Sequence, residues 1–166
     1  MADRFVSPFL MWTIAALGGL LARRLFPHAP LLFDARPYSL ILLIAAFIVW
    51  LSLFGAALTR NREVARSAAN VRHLRTSGIY GVVRHPIYAA DMLLTIAILA
   101  YIPTAWTLAA GSWLVVVLTF WTYLEEGVLI RRFGETYTAY KEAVPRLVPR
   151  FREKSGRFPP KSGNGK

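Results

Sequence analysis

Thr76-Ser77-Gly78-Ile79-Tyr80-Gly81-Val82-Val83-Arg84-His85-Pro86-Ile87-Tyr88 is a polar, turn-rich stretch that runs straight into a long apolar one. Gly78 and Gly81 permit backbone conformations that other residues resist, and Pro86 suits the first turn of a helix, where a missing N–H loses nothing. The stretch therefore predicts a compact loop ending at Pro86 and a membrane helix beginning there. Arg84, His85, Tyr80 and Tyr88 then gather at the boundary between water and bilayer. The unbonded N–H groups of a helix start favour an anionic ligand group at that point.

Outward from this junction the chain is strongly apolar. Hydrophobic residues make up 55% of 166, mean hydropathy is +0.42, and four apolar runs approach bilayer length. These are Phe5 to Ala22, Pro37 to Thr59, Pro86 to Tyr101 and Thr104 to Leu124, the last continuing as helix to Arg132. The fold class is all-α: a polytopic bundle of about four transmembrane helices. Ala15, Gly18, Gly19 and Ala22 give the first run a face of small residues suited to close helix packing. A short amphipathic helix follows near the C-terminus, where Tyr137, Tyr140 and Val144 recur at helical spacing, and Pro145 ends it. Residues 1–150 form one membrane domain, with the chemistry in 71–149. Residues 151–166, rich in Gly, Pro and Lys, are expected to be disordered.

The absence of cysteine excludes disulfides, thiolate metal sites and a cysteine nucleophile, and His28, His73 and His85 lack metal-ligand spacing, so no metal is expected. A net charge of +11 raises the question of nucleic acid. The basic residues, however, lie in blocks between and after the apolar runs, which is the pattern of membrane topology and attraction to anionic lipid. If the 60–84 connection, the tail and the N-terminus share one side, that side holds seventeen of the twenty Lys and Arg residues. An integral, multi-pass protein with both termini cytoplasmic follows, as in a prokaryotic inner membrane, with membrane lipids and not nucleic acid as partners.

Two acids at the end of the fourth run, Glu125 and Glu126, lie at the depth of Arg84-His85-Pro86, and the turn at Pro103 makes the third and fourth helices antiparallel neighbours. Adjacent helical residues point about 100° apart. One glutamate is thus expected to face the bundle, the other water or Arg131 and Arg132. Asp91 is the single acid inside an apolar run, where insertion scales penalise it by roughly 2.5–3.5 kcal/mol, so it is expected to face the bundle interior near the site.

The ordered set His73-Leu74-Arg75-Thr76-Ser77-Gly78-Ile79-Tyr80, Arg84-His85-Pro86-Ile87-Tyr88, Glu125-Glu126, Phe133-Gly134-Glu135-Thr136-Tyr137-Thr138-Ala139-Tyr140 and Val144-Pro145 closely resembles the isoprenylcysteine carboxyl methyltransferase family. The related phospholipid N-methyltransferases share its general plan. The resemblance spans about Val71 to Pro149 and treats the first two runs as generic membrane helices. It implies an S-adenosylmethionine-dependent methyltransferase with a cytoplasmic cofactor site and a lipophilic acceptor entering from the bilayer. It also implies cofactor contacts from His73, Leu74, Arg75, Thr76, Tyr80, His85, Pro86, Ile87, Tyr88 and Glu125. Glu125 and Glu126 are the candidate catalytic acids, able to assist an ammonium acceptor in losing its proton.

The pattern departs from that family at Trp121. Members acting on prenylated cysteine are expected to carry an arginine there to hold the substrate carboxylate, and an indole offers one N–H and no charge. Trp121 and Asp91 are accordingly the candidate substrate-binding residues, with a carboxylate, a thiol or an amine open as the acceptor. Phospholipid amine methylation is the nearest alternative activity. A non-catalytic lipid-binding subunit on the same scaffold is the alternative outside enzymology.

Overall fold

The computed structural model describes residues 6–60 and 73–149. Five α-helices are present among them and no named strand: α1 (Pro8–Leu25), α2 (Tyr38–Arg60), α3 (Pro86–Tyr101), α4 (Ala105–Phe133) and α5 (Glu135–Ala143), with a 3-10 turn at Gly78–Gly81 before α3. Residues 61–72 of the 60–84 connection and the tail beyond 149 lie outside the described residues.

Helix boundaries follow local chemistry. Proline occupies the first turn of both α1 and α3. Thr104 caps α4 reciprocally: its hydroxyl accepts from the Thr107 N–H while the Thr107 hydroxyl accepts from the Thr104 N–H. Gly134, at φ 55°, ends α4 and turns the chain into α5. The first helix does not stop at Arg23-Arg24 but continues to Leu25. Basic side chains end an apolar run without ending a helix, because cations complement a helix C-terminus, and Arg23 donates to the Pro27 carbonyl beyond it.

Packing pairs α1 with α4 and α2 with α3, and the α3–α4 hairpin joins the two pairs. Met11, Ala15, Val117, Leu118, Trp121 and Val128 fill the α1–α4 seam. At the hairpin end, Leu32 N–H donates to the Pro103 carbonyl at 2.7 Å and pins the 26–36 loop across the turn.

Among the described residues, two helices are long and apolar enough by themselves to cross a bilayer, Tyr38–Ala56 with mean hydropathy 2.5 and Ala105–Phe133 with 1.5. At sixteen residues α3 is about 24 Å long, short of a hydrocarbon core of roughly 30 Å. Apolar side chains nevertheless face outward on all four long helices, including Leu17, Leu20, Ile41, Ile48, Ile96, Val116 and Phe120. Outward apolar surface on this scale suits a membrane protein.

Candidate functional site

The site forms where α3 begins and α4 ends. Gly78 takes φ 67°, and a side chain at Gly81 would press to 3.3 Å from the Thr76 carbonyl, so the two glycines fold the loop tightly enough to bring Arg84 and His85 under the bundle. After α5 the chain returns alongside: Arg84 N–H donates to the Pro145 carbonyl (2.9 Å) and His85 N–H to the Arg146 carbonyl (3.0 Å). Tyr140 Oη also donates to the Tyr80 carbonyl at 2.6 Å. The amphipathic helix thus caps the loop, with Tyr137, Tyr140 and Val144 buried against Leu74, Leu129 and Phe133. Burial pushes the hydroxyls of Tyr137 and Tyr140 above the ordinary tyrosine range, keeping them neutral donors.

The two glutamates have different surroundings. Glu126 is 2% exposed and sits in a cage of cations. Arg84 donates to Oε1 from Nε at 2.9 Å, and Arg146 binds both oxygens from Nε (3.0 Å) and Nη2 (2.8 Å). Arg84 Nη2 also stands 2.9 Å from Oε1, and the remaining nitrogen, Nη1, donates to the carbonyls of Lys141 and Val144. Arg146 also lies 3.7 Å from the centroid of the Tyr123 ring. Burial works against the charge of Arg146, but the bonds to Glu126 outweigh it and hold the guanidinium above its usual pKa. Glu125 is gripped more lightly: Tyr88 Oη donates to its Oε1 at 2.7 Å and His85 Nδ1 stands 3.6 Å from its Oε2. His85 reaches both acids, with Nε2 3.3 Å from Glu126 Oε1, and its ring stacks on Tyr88.

A cavity of about 330 Å³ opens in front of Glu125. Tyr80, Arg84, His85, Pro86, Ile87 and Tyr88 line it on the α3 side, so six of the residues the sequence singles out as ligand contacts, Glu125 included with five of these, share one wall with Arg84. Tyr88 and Glu125, far apart in sequence, meet at hydrogen-bond distance beside an open space. Asp91 lines the cavity one turn further in, where Trp50 Nε1 donates to its Oδ1 at 2.6 Å.

Other expected site residues fall elsewhere. His73 and Arg75 are exposed, Thr76 is half-buried in the turn, and Leu74 packs against the tyrosine cluster of α5; none of the four lines the cavity. Trp121 lies in the α1–α4 core and not on the cavity wall, because α1 fills the space one turn before Glu125 and Met11 stands at the lining instead. Glu126 faces inward as well, held by Arg84 and Arg146, and it too is set back from the lining. Sequence reasoning missed Trp50, Phe54 and Trp12, which supply the α1 and α2 side of the wall, and Arg146. For Arg146 a signal existed: a basic residue directly after a proline that ends an amphipathic helix is placed to return to the acids. Tryptophans on apolar helices carry no comparable signal.

The family model described as phospholipid methyltransferase matches residues 35–136, which is more than half of the chain. The protein belongs to the phospholipid methyltransferase family. The match begins just before α2 and covers α2, α3, the loop between them and the whole of α4 with both glutamates. No curated protein and no solved structure matches the chain.

Proposed function

We propose that this protein is a multi-pass integral-membrane methyltransferase that uses S-adenosylmethionine and acts on a small lipophilic acceptor entering from the bilayer. In this reading α1 to α4 all cross the membrane, and the termini and the cavity mouth lie on the cytoplasmic side. The observation that carries the reading is the Tyr88–Glu125 contact on the wall of a cavity closed by two segments far apart in sequence.

The residues present fit such a donor. An amino group finds the Glu125 carboxylate, whose one hydrogen bond from Tyr88 leaves acceptor capacity. An adenine finds the Tyr88 and His85 rings and the side of Tyr80. The Tyr80 hydroxyl is buried without a partner among the described residues, and burial pushes its pKa up, so it stays a neutral hydrogen-bonding group. When bound, the donor supplies an electrophilic methyl group. Transfer of such a group is in-line and depends on alignment and on keeping water out. Glu125, Tyr88 and His85 orient; the apolar α1 and α2 side chains exclude water. Glu126, saturated by cations, holds His85 and the Arg84 loop in position.

Calorimetry in detergent with S-adenosylhomocysteine tests this. Binding should be measurable and should weaken roughly 10-fold or more in Glu125→Ala and in His85→Ala, the loss of one charge-assisted hydrogen bond each. No heat at millimolar ligand would leave the non-catalytic lipid-binding reading in its place. The family match favours a phospholipid amine as second reading for the acceptor, and label transferred from a methyl-labelled donor would then be stable to base, where an ester would lose it.

A further inference from the structure

We propose that a phospholipid with an anionic head occupies a second cavity in the bundle, with one acyl chain among α1, α3 and α4 and its phosphate at Arg23 and Arg24. The proposal rests on the reading of these helices as membrane crossings and not on methyl-transfer chemistry. The cavity measures about 370 Å³ and has one wall residue, Trp12, in common with the first. From there it follows α1 to Gly19 and α4 from Leu114 back to Trp106, a slot of about 12 Å along the helix axes toward the other end of the bundle. Its wall is apolar, and its two threonines keep their hydroxyls inside the protein. Thr95 Oγ1 donates to the Asp91 carbonyl at 2.7 Å, and Thr107 Oγ1 is bonded to the carbonyls of Ile102 and Thr104. Water therefore finds few partners there, which suits the slot to an apolar ligand. Trp12, Ala16 and Ile98 on the wall are exposed, so the slot opens sideways, into hydrocarbon in this reading. An elongated apolar opening of this kind fits an acyl chain. Left empty, its lining would forfeit the dispersion contacts on which packing between membrane helices depends.

The far end of the slot chooses the head. Arg23 lies one turn past Gly19, and its guanidinium stands 5.7 Å from the centroid of Trp106, a wall residue. Its Nη1 donates to the Pro27 carbonyl, whereas its Nε and Nη2, and the whole guanidinium of Arg24, have no hydrogen-bond partner among the described residues. The one acid of the 26–36 loop, Asp34, is already bound by Arg36 at 3.0 Å. The end of the slot thus carries positive charge without a counter-ion. On the proposed topology, Arg23, Arg24 and Arg36 are the three of twenty basic residues on the non-cytoplasmic side, where cations run against the usual distribution. Arg36 has its acid; phosphate oxygens would supply the counterpart for Arg23 and Arg24. Trp106 beside them sits where indoles anchor helices at the level of lipid heads.

Native mass spectrometry tests this on the full-length protein in detergent, titrated with phosphatidylglycerol or with phosphatidylcholine of identical chains. One phosphatidylglycerol per protein should bind, tighter than phosphatidylcholine by roughly 5-fold or more, the effect of one cation at an anionic head. Arg23→Gln should weaken phosphatidylglycerol about 5-fold and leave phosphatidylcholine within about twofold. A Cβ at Gly19 meets nothing within 4 Å, so the ring of Gly19→Phe would enter the slot, and both lipids should weaken roughly 10-fold or more as chain contacts are lost. Equal affinity for the two heads overturns the proposal, and so does binding that Gly19→Phe leaves unchanged, which would put the lipid elsewhere. If one variant does not fold, the other and the wild-type preference between heads decide. The membrane reading is tested apart. The chain has no cysteine, so His28→Cys in sealed vesicles of known orientation should react with an impermeant maleimide only from the non-cytoplasmic face. Labelling from the cytoplasmic face alone would sink that topology and leave the lipid titration standing as a separate result.

Discussion

The two ends of the bundle are held by opposite means. Where α3 starts and α4 ends, the chain is tied by polar bonds between distant segments: Arg84 and Arg146 on Glu126, Tyr140 on Tyr80, residues 84 and 85 on 145 and 146. Further along, α1 and α4 are held by fit, with the Trp113 ring laid over Gly18 and its Nε1 donating to the Ile14 carbonyl at 3.0 Å. In an apolar medium hydrophobic burial gives little drive between helices, so close packing must hold the far part. The polar end can instead use charge, and it does so one residue away from the cavity. That arrangement keeps Glu125 fixed in place without neutralising it with the cations that secure Glu126.

The strongest way to break this contrast is Glu126→Ala. Removing one partner from a buried ion cluster typically destabilises by about 3–5 kcal/mol because the remaining charges stay buried and unpaired, and here two guanidiniums would be left. Thermal unfolding in detergent should show a large drop in Tm for Glu126→Ala, while Glu125→Gln should remain folded and lose ligand affinity instead. Equal stability losses from the two would mean that the neighbouring acids share one role.

At the packed part the test is Gly18→Ala. A Cβ there would stand 2.0 Å from Trp113 Nε1, so the ring must move and give up its bond to Ile14. Overpacking of this kind costs about 1–3 kcal/mol. Gly19→Ala, whose Cβ would meet nothing within 4 Å, is the control and should leave the unfolding midpoint close to wild type. If both substitutions behave alike, the small-residue face is a matter of composition and not of fit.

Gly18 and Gly19 also mark how far the sequence could be read. The small-residue face was legible, but which of two adjacent glycines receives a ring depends on how α1 is rotated against α4, and periodicity does not fix that. The apolar runs and the heptad-like spacing of Tyr137, Tyr140 and Val144 placed α2, α3, α4 and α5 to within a few residues, because local patterning determines helices. That the Arg84–Tyr88 segment and Glu125 lie together was legible through motif order and spacing, and they share the cavity wall. Trp50 was not, since an indole on an apolar helix reads as core or lipid-facing until α2 is docked on α3 and its N–H is found on Asp91. The placement of Trp121 was hidden for the converse reason: one turn before Glu125 on the same helix, it packs in the α1–α4 core and not on the cavity wall.

The smallest expected effect tests whether the α5 cap is part of the site or only near it. Tyr140→Phe removes one hydroxyl, the donor to the Tyr80 carbonyl, and keeps the ring packed against Tyr137 at a centroid distance of 5.8 Å. A net hydrogen bond of this kind contributes about 0.5–1.5 kcal/mol, so Tm should fall modestly. The informative readout is S-adenosylhomocysteine affinity. Tyr80 belongs to the cavity wall and its backbone is what Tyr140 holds, so loosening it should weaken ligand binding severalfold even though Tyr140 itself does not line the cavity. If affinity is untouched while Tm falls, α5 serves only the polar end's stability, and the cavity is set by α3 and α4 without help from the returning chain.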